Sequence, residues 1–303
     1  MSITRRTLIA QAAAASAMAA LPRQVLAQGA GATRVIPSTG AAVPVIGLGT
    51  WITFNVGRDP VLLERSTDVM RAFFAEGGGV IDSSPMYGSA QATVGHGLAA
   101  LGQPETLFAA DKVWTSSGGA GSGQIASSRE AWRTSFDLLQ VHNLVAWEAH
   151  LETLFAKKAA GEIDYVGVTT SHGRRHGEME RIMARHPLDF VQLTYNALDR
   201  TPEARLLPLA QEKGIGVIVN RPFRRGALVG RVRGAPLPAF AGALGAESWA
   251  QLLLKFIVSH PAVTVTIPAT TSAQHMRENK AAARGVLPDA AQRAKIAATV
   301  AAL

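Results

Sequence analysis

The chain has 303 residues, 48% hydrophobic and 17% charged, which is ample for one large core or two modest ones. The absence of cysteine excludes disulfides, thiolate zinc sites and cysteine nucleophiles. The formal charge is +8, but no basic run is interleaved with aromatics, so nucleic acid is not an expected partner.

The chain begins with a pattern that belongs to targeting rather than to folding. Thr4-Arg5-Arg6-Thr7-Leu8 is a twin arginine, followed by an Ala-rich apolar run from Leu8 to Leu21 and by Pro22. Val25-Leu26-Ala27 supplies the small residues a signal peptidase needs. The run is shorter than the ~20 residues that span a bilayer, so residues 1–27 read as a cleaved signal rather than an anchor. A twin arginine points to the export route for already folded proteins. The expected partner is then that export machinery, and the expected location is periplasmic or otherwise exported.

Beyond it, strand-like and helix-like stretches alternate. Residues 43–49 read as a strand ending at Thr50-Trp51, and 61–75 carry apolar residues at helical spacing. Val80-Ile81 is a short β-branched strand, and 91–101 are helix-like. Residues 107–110 form a third strand running into Asp111-Lys112, and 116–123 read as a Ser/Gly-rich loop. Residues 138–141 form a fourth strand ending at His142-Asn143; a helix over 147–160 is closed by Gly161. Further strands cover 166–168, 190–195, 216–219 and 263–267. Eight strands alternating with helices over about 250 residues predict a (β/α)8 TIM barrel, a single domain spanning 33–303.

The strand at Val80-Ile81 stops at Asp82, and Ser83, Ser84, Pro85 and Gly88 then break regular structure around Tyr87. A phenol with its ordinary pKa near ~10 gives up its proton readily only when a neighbour lowers that value. A lysine beside it does so, and a carboxylate holds that lysine in place. Lys112 ends the third strand and His142 follows the fourth. Strand carboxyl ends converge on one mouth of a barrel, so Asp82, Tyr87, Lys112 and His142 are expected to face one another.

With these residues in place the chain resembles the aldo/keto reductase family over nearly all of 33–285. The resemblance rests on Gly47-Leu48-Gly49-Thr50-Trp51, Ile81-Asp82-Ser83-Ser84-Pro85-Met86-Tyr87-Gly88, and Asp137-Leu138-Leu139-Gln140-Val141-His142. It continues in Gln192-Leu193-Thr194-Tyr195-Asn196 and in Ile267-Pro268 with Arg277-Glu278-Asn279. It implies a monomeric barrel that reduces a small-molecule aldehyde or ketone with NADPH. By the same resemblance Tyr87 donates the proton, Lys112 lowers its pKa, Asp82 pairs with Lys112, and His142 orients the carbonyl.

The cofactor contacts depart from the family pattern. Thr169-Thr170 stand where Ser-Asn usually holds the nicotinamide amide, while Gln192 matches the usual glutamine. The seventh strand ends Asn220-Arg221-Pro222-Phe223 instead of Tyr-Ser-Pro-Leu, so the stacking ring is missing. Arg221, Arg224 and Arg225 are candidates for pyrophosphate; a basic surface loop is the alternative. After the eighth strand Ala269-Thr270 replace Lys-Ser, His275 stands near the 2′-phosphate arginine's place with Arg277 two residues on, and Asn279 matches the adenine-side asparagine. NADP is therefore an expectation from the family, with NAD open.

Other constellations fail. Gly47-x-Gly49 lacks the third glycine of a Rossmann fingerprint, and the loop at Ser117 to Gly123 lacks the Gly-Lys-Ser/Thr of a P-loop. His172 and His176 are four apart, but Gly173 stands where a zinc helix needs Glu, so no metal site is expected. Trp51, Phe54, Met86 and Trp114 are expected to line the substrate pocket and favour an apolar or aromatic carbonyl. Two further readings remain: a barrel that binds nucleotide or protein without turnover, and a Schiff-base lyase using Lys112.

Overall fold

The computed structural model describes residues 31–303; the expected signal segment at residues 1–27 lies outside the described residues. The described chain starts with an antiparallel hairpin of Thr33–Val35 (β1) and Ala42–Pro44 (β2). Eight parallel strands follow: Leu48–Gly49 (β3), Gly79–Asp82 (β4), Leu107–Val113 (β5), Leu138–Val141 (β6), Tyr165–Thr169 (β7), Phe190–Thr194 (β8), Gly216–Asn220 (β9) and Val265–Thr266 (β10). Each pairs with the next, and a parallel bridge between Ile46 and Thr266 joins the last to the first. The sheet is thereby closed into a barrel.

Helices lie between successive strands: Pro60–Ala75 (α1), Ala90–Ala100 (α2), Gly121–Trp132 (α3), Trp147–Ala159 (α4), His176–Arg185 (α5) and Leu206–Lys213 (α6). The longer connection after β9 carries Ala227–Arg231 (α7) and Trp249–Val258 (α8), and Ala273–Ala281 (α9) and Ala290–Ala302 (α10) follow β10. The strands are short Val/Ile/Leu runs buried on both faces, as parallel strands wrapped by helices must be. The helices begin at sequence-encoded caps. Asp59 accepts from the N–H groups of Val61 and Leu62 ahead of Pro60, and Asp289 with Gln292 forms a capping box on α10.

The core has two layers. One lies between strands and helices. The other fills the amino end of the barrel, where Val80, Ala110, Leu138, Tyr165, Phe190, Ile218 and Val265 meet Ile36 and Val43 of the hairpin. Thr39 in the hairpin turn hydrogen-bonds the Tyr165 hydroxyl at 2.9 Å, at the start of β7. The hairpin therefore plugs that end of the barrel.

Two expectations change. The stretch 43–49, read as one strand, is divided. Its first residues belong to the plug, whereas Ile46, through its bridge to Thr266, and Leu48–Gly49 belong to the barrel, with Pro44, which has no N–H to donate, at the break. The stretch 116–123, read as loop, contains a 3-10 turn at Gly118–Ala120 and the start of α3. Gly121 fits there because a Cβ would come within 2.9 Å of His150 Nδ1. Among the described residues no helix is long and apolar enough to cross a membrane.

Candidate active site

At the carboxyl end of the barrel lies a cavity of about 840 Å³. Asp82 is the last residue of β4 and is 1% exposed. Ser84 caps a 3-10 turn, Pro85–Tyr87, that carries Tyr87 into the cavity wall; Ser84 Oγ accepts from Met86 N–H at 3.2 Å. Gly88 ends that turn at φ +63°, and a Cβ there would strike the Asn55 side chain. Lys112, near the end of β5, is fully buried beneath the cavity. His142 follows β6 directly and is 5% exposed.

The structure brings these four side chains together. Lys112 Nζ donates to Asp82 Oδ2 at 2.5 Å and to Ser83 O at 2.7 Å, and it lies 5.1 Å from the centre of the Tyr87 ring. The Tyr87 and His142 rings meet edge to face at 5.6 Å. Gln140 on β6 and Gln192 on β8 donate to Asp82 Oδ1 at 3.2 and 2.8 Å. A buried ion pair is stable only when its remaining lone pairs are satisfied, and these amides satisfy the outer oxygen.

The electrostatics revise one expectation. Burial pushes the Tyr87 phenol up to about 12, although the Lys112 ammonium pulls it down. Lys112 was expected to lower Tyr87 below its ordinary value, but desolvation of the phenolate outweighs the ammonium. Tyr87 therefore holds its proton at neutral pH. Burial disfavours the Lys112 charge, yet chiefly the Asp82 carboxylate carries the group above the usual lysine value. His142 is held well below the ordinary histidine range by burial and then by Lys112, so its imidazole is neutral.

Of the residues matched to cofactor contacts, Thr169, Thr170, Gln192, Arg221 and Asn279 line the cavity, as do His275 and Glu278. Arg277 is exposed on α9 and lies outside the cavity wall. Several of the polar groups are already engaged. Thr169 Oγ1 accepts from Asn143 N–H at 2.9 Å, and Gln192 turns its NH2 to Asp82. Asn220 donates to Thr170 O at 2.9 Å and accepts from Thr194 Oγ1 at 2.7 Å.

Of Arg221, Arg224 and Arg225, which directly follow β9, Arg224 is paired with Asp199 at 2.9 Å. Arg221 and Arg225 line the cavity and have no carboxylate partner among the described residues. Arg221 Nε is buried without a hydrogen-bond acceptor. Arg225 stacks its guanidinium 4.0 Å from the Trp51 ring, linking the β9 loop to the β3 loop. This donor set fits a ligand that brings phosphate oxygens.

Trp51 and Met86 line the cavity as expected, whereas Phe54 is fully buried in the core and Trp114 is 41% exposed outside the cavity wall. Gln140 and Ser84 join the site beyond the residues expected from the sequence. An amide among the apolar residues of 138–141 was the available signal for Gln140; nothing in the sequence set Ser84 apart from its neighbour Ser83.

The aldo/keto reductase family profile matches residues 45–298. The methylglyoxal reductase YeaE of Escherichia coli (strain K12) is 27% identical over 250 residues, 79% of this chain and 85% of that one. An aldo/keto reductase of Klebsiella pneumoniae, solved in complex with NADP and acetate, superposes with a TM-score of 0.71 at 26% identity, covering 86% of this chain and 93% of that one. An aldo-keto reductase of Bacillus halodurans in its holo form, 20% identical, shares the fold with a TM-score of 0.72 over 89% of this chain and 96% of that one.

Proposed function

This chain belongs to the aldo/keto reductase family of oxidoreductases, and from that premise we propose that it is an exported, NADP-dependent reductase turning an aldehyde or ketone into an alcohol. The observation that carries the reading is the Asp82–Lys112–Tyr87–His142 cluster on and beneath one cavity wall. NADPH, when bound, supplies the hydride. Arg221 and Arg225 would hold its phosphates, and His275, Glu278 and Asn279 its adenosine end.

The chain's own residues handle the oxygen. Tyr87 O–H and the His142 imidazole donate to the carbonyl oxygen and orient it. As negative charge grows there, the Tyr87 proton moves to that oxygen. The phenolate left behind is stabilised by Lys112, 5.1 Å from the ring centre, and Asp82 with its two amide donors keeps Lys112 in position. A raised phenol value favours holding the proton until the oxygen becomes basic enough to take it.

The test follows NADPH consumption with a panel of aldehydes and ketones for wild type and Tyr87→Phe. General acid catalysis contributes ~10²–10⁴-fold, so the variant should lose turnover in that range while keeping its fold and its NADP affinity. Wild-type turnover in Tyr87→Phe would sink the mechanism. A second reading, nucleotide binding without turnover, is favoured by the engaged amide of Gln192 and by Asn220 in place of a stacking ring. It becomes the better one if NADP binds and no carbonyl is reduced. Export rests on Arg5, Arg6 and the run ending at Ala27; amino-terminal sequencing of exported protein should begin at Gln28.

A further inference from the structure

Ser84 Oγ lies 2.7 Å from His142 Nδ1, and distance alone leaves open which atom donates. Donor counting decides it. A hydroxyl has one proton and two lone pairs. One lone pair of Ser84 Oγ accepts from Met86 N–H at 3.2 Å, and among the described residues Met86 N and His142 Nδ1 are its only partners. Ser84 is fully buried. If Nδ1 carried the imidazole proton, Oγ would accept twice and its own proton would have no acceptor. A buried unsatisfied donor is costly, so the arrangement in which Oγ–H donates to Nδ1 is favoured.

We infer that Ser84 is a positioning residue that fixes the tautomer of His142, leaving the imidazole proton on Nε2, the nitrogen free to meet the substrate oxygen. The choice matters because the ring is neutral: an imidazolium would donate from both nitrogens, whereas a neutral ring donates from one. Burial and Lys112 keep it neutral. Nε2 has no hydrogen-bond partner among the described residues, and His142 lines the cavity. The same Oγ caps the turn that carries Tyr87, so one hydroxyl sets both the protonation of His142 and the placement of the phenol beside it.

The kinetic part of the test rests on the reductase reading; the spectroscopic part does not. Long-range proton–nitrogen spectra of the full chain, with histidine labelled and His142 assigned by its loss in His142→Ala, report the tautomer directly. Wild type should show Nε2–H and an unprotonated Nδ1. Ser84→Ala should populate Nδ1–H, and Ser84→Thr, which keeps the hydroxyl, should restore the wild-type spectrum. In turnover, Ser84→Ala should lower kcat roughly tenfold with KM little changed, and Ser84→Thr should recover it. Should Ser84→Ala fail to fold, Ser84→Cys, a weaker donor, takes its place. Nδ1–H in wild type, or an unchanged Nε2–H in the variant lacking the donor, overturns the inference, even if kcat falls. If no carbonyl is reduced by any form, the spectra still decide the tautomer while the reductase reading fails.

Discussion

In Lys112→Met the Tyr87 phenol stays buried and loses the ammonium that opposes its burial. Turnover should fall by ~10²-fold or more. In the proposed mechanism Lys112 acts through Tyr87, so the Tyr87→Phe and Lys112→Met losses should not add in the double variant; additive losses would show that Lys112 has a separate task. Asp111, adjacent in sequence, faces the other way. Its carboxylate is fully buried, accepting from Gln91 Nε2 at 2.6 Å on α2 and from Lys112 N–H at 2.8 Å, and burial raises it to about 7. Unfolded, an aspartate titrates near ~3.9, so between the two values the native chain holds a proton the unfolded chain has released. The stability this contributes is complete below about pH 4 and is lost as pH rises through about 7. Asp111→Asn should therefore leave melting almost unchanged near about pH 4 and raise it above about pH 8, by up to a few kcal/mol. An equal effect at both pH values would count against the raised carboxyl. Asp82, Tyr87, Lys112 and His142 were legible in the sequence because each sits at or just after a strand end. Asp111 and Gln140 were not, because one-residue alternation decides whether a strand side chain faces the barrel interior or the helices.

At the scale of elements, the turn that carries Tyr87 depends on its last residue. Gly88→Ala places a side chain at φ +63° and into Asn55, which itself holds Ser89 through its N–H at 2.9 Å. A strained backbone of this kind costs ~1–3 kcal/mol. The expected result is a lower melting temperature together with a fall in kcat, since the turn must shift and Tyr87 with it; a drop in stability with kcat intact would detach the turn from catalysis. The alternation of strands and helices was readable because both periods are strong, and β6 and α4 match their expected spans to within one residue. The hairpin of β1 and β2 was not. Its strands are three residues each, and its second strand runs without a polar break into the barrel stretch. The start of α3 was hidden by its composition, since Gly-Ser-Gly reads as loop until packing against His150 is known.

For the molecule as a whole, the unpaired arginines in the cavity give a readout that does not depend on turnover. A ligand that binds only the folded chain at ~100 times its Kd adds about 2.7 kcal/mol to stability. NADP should raise the melting temperature, and Arg225→Ala should weaken its binding by about tenfold, the worth of one charge-assisted hydrogen bond. Unchanged affinity in that variant would assign the phosphates elsewhere. The hairpin plug has a consequence of another kind. Ile36 and Val43 seal the amino end of the barrel, and the cavity sits at the carboxyl end, which leaves two reactants to share one doorway. Traffic through a single door is sequential: whatever seats deepest arrives first and departs last. Wild-type kinetics should then show an ordered pattern, with one product competing against only one of the two reactants, rather than the symmetric inhibition of a vessel with separate entrance and exit.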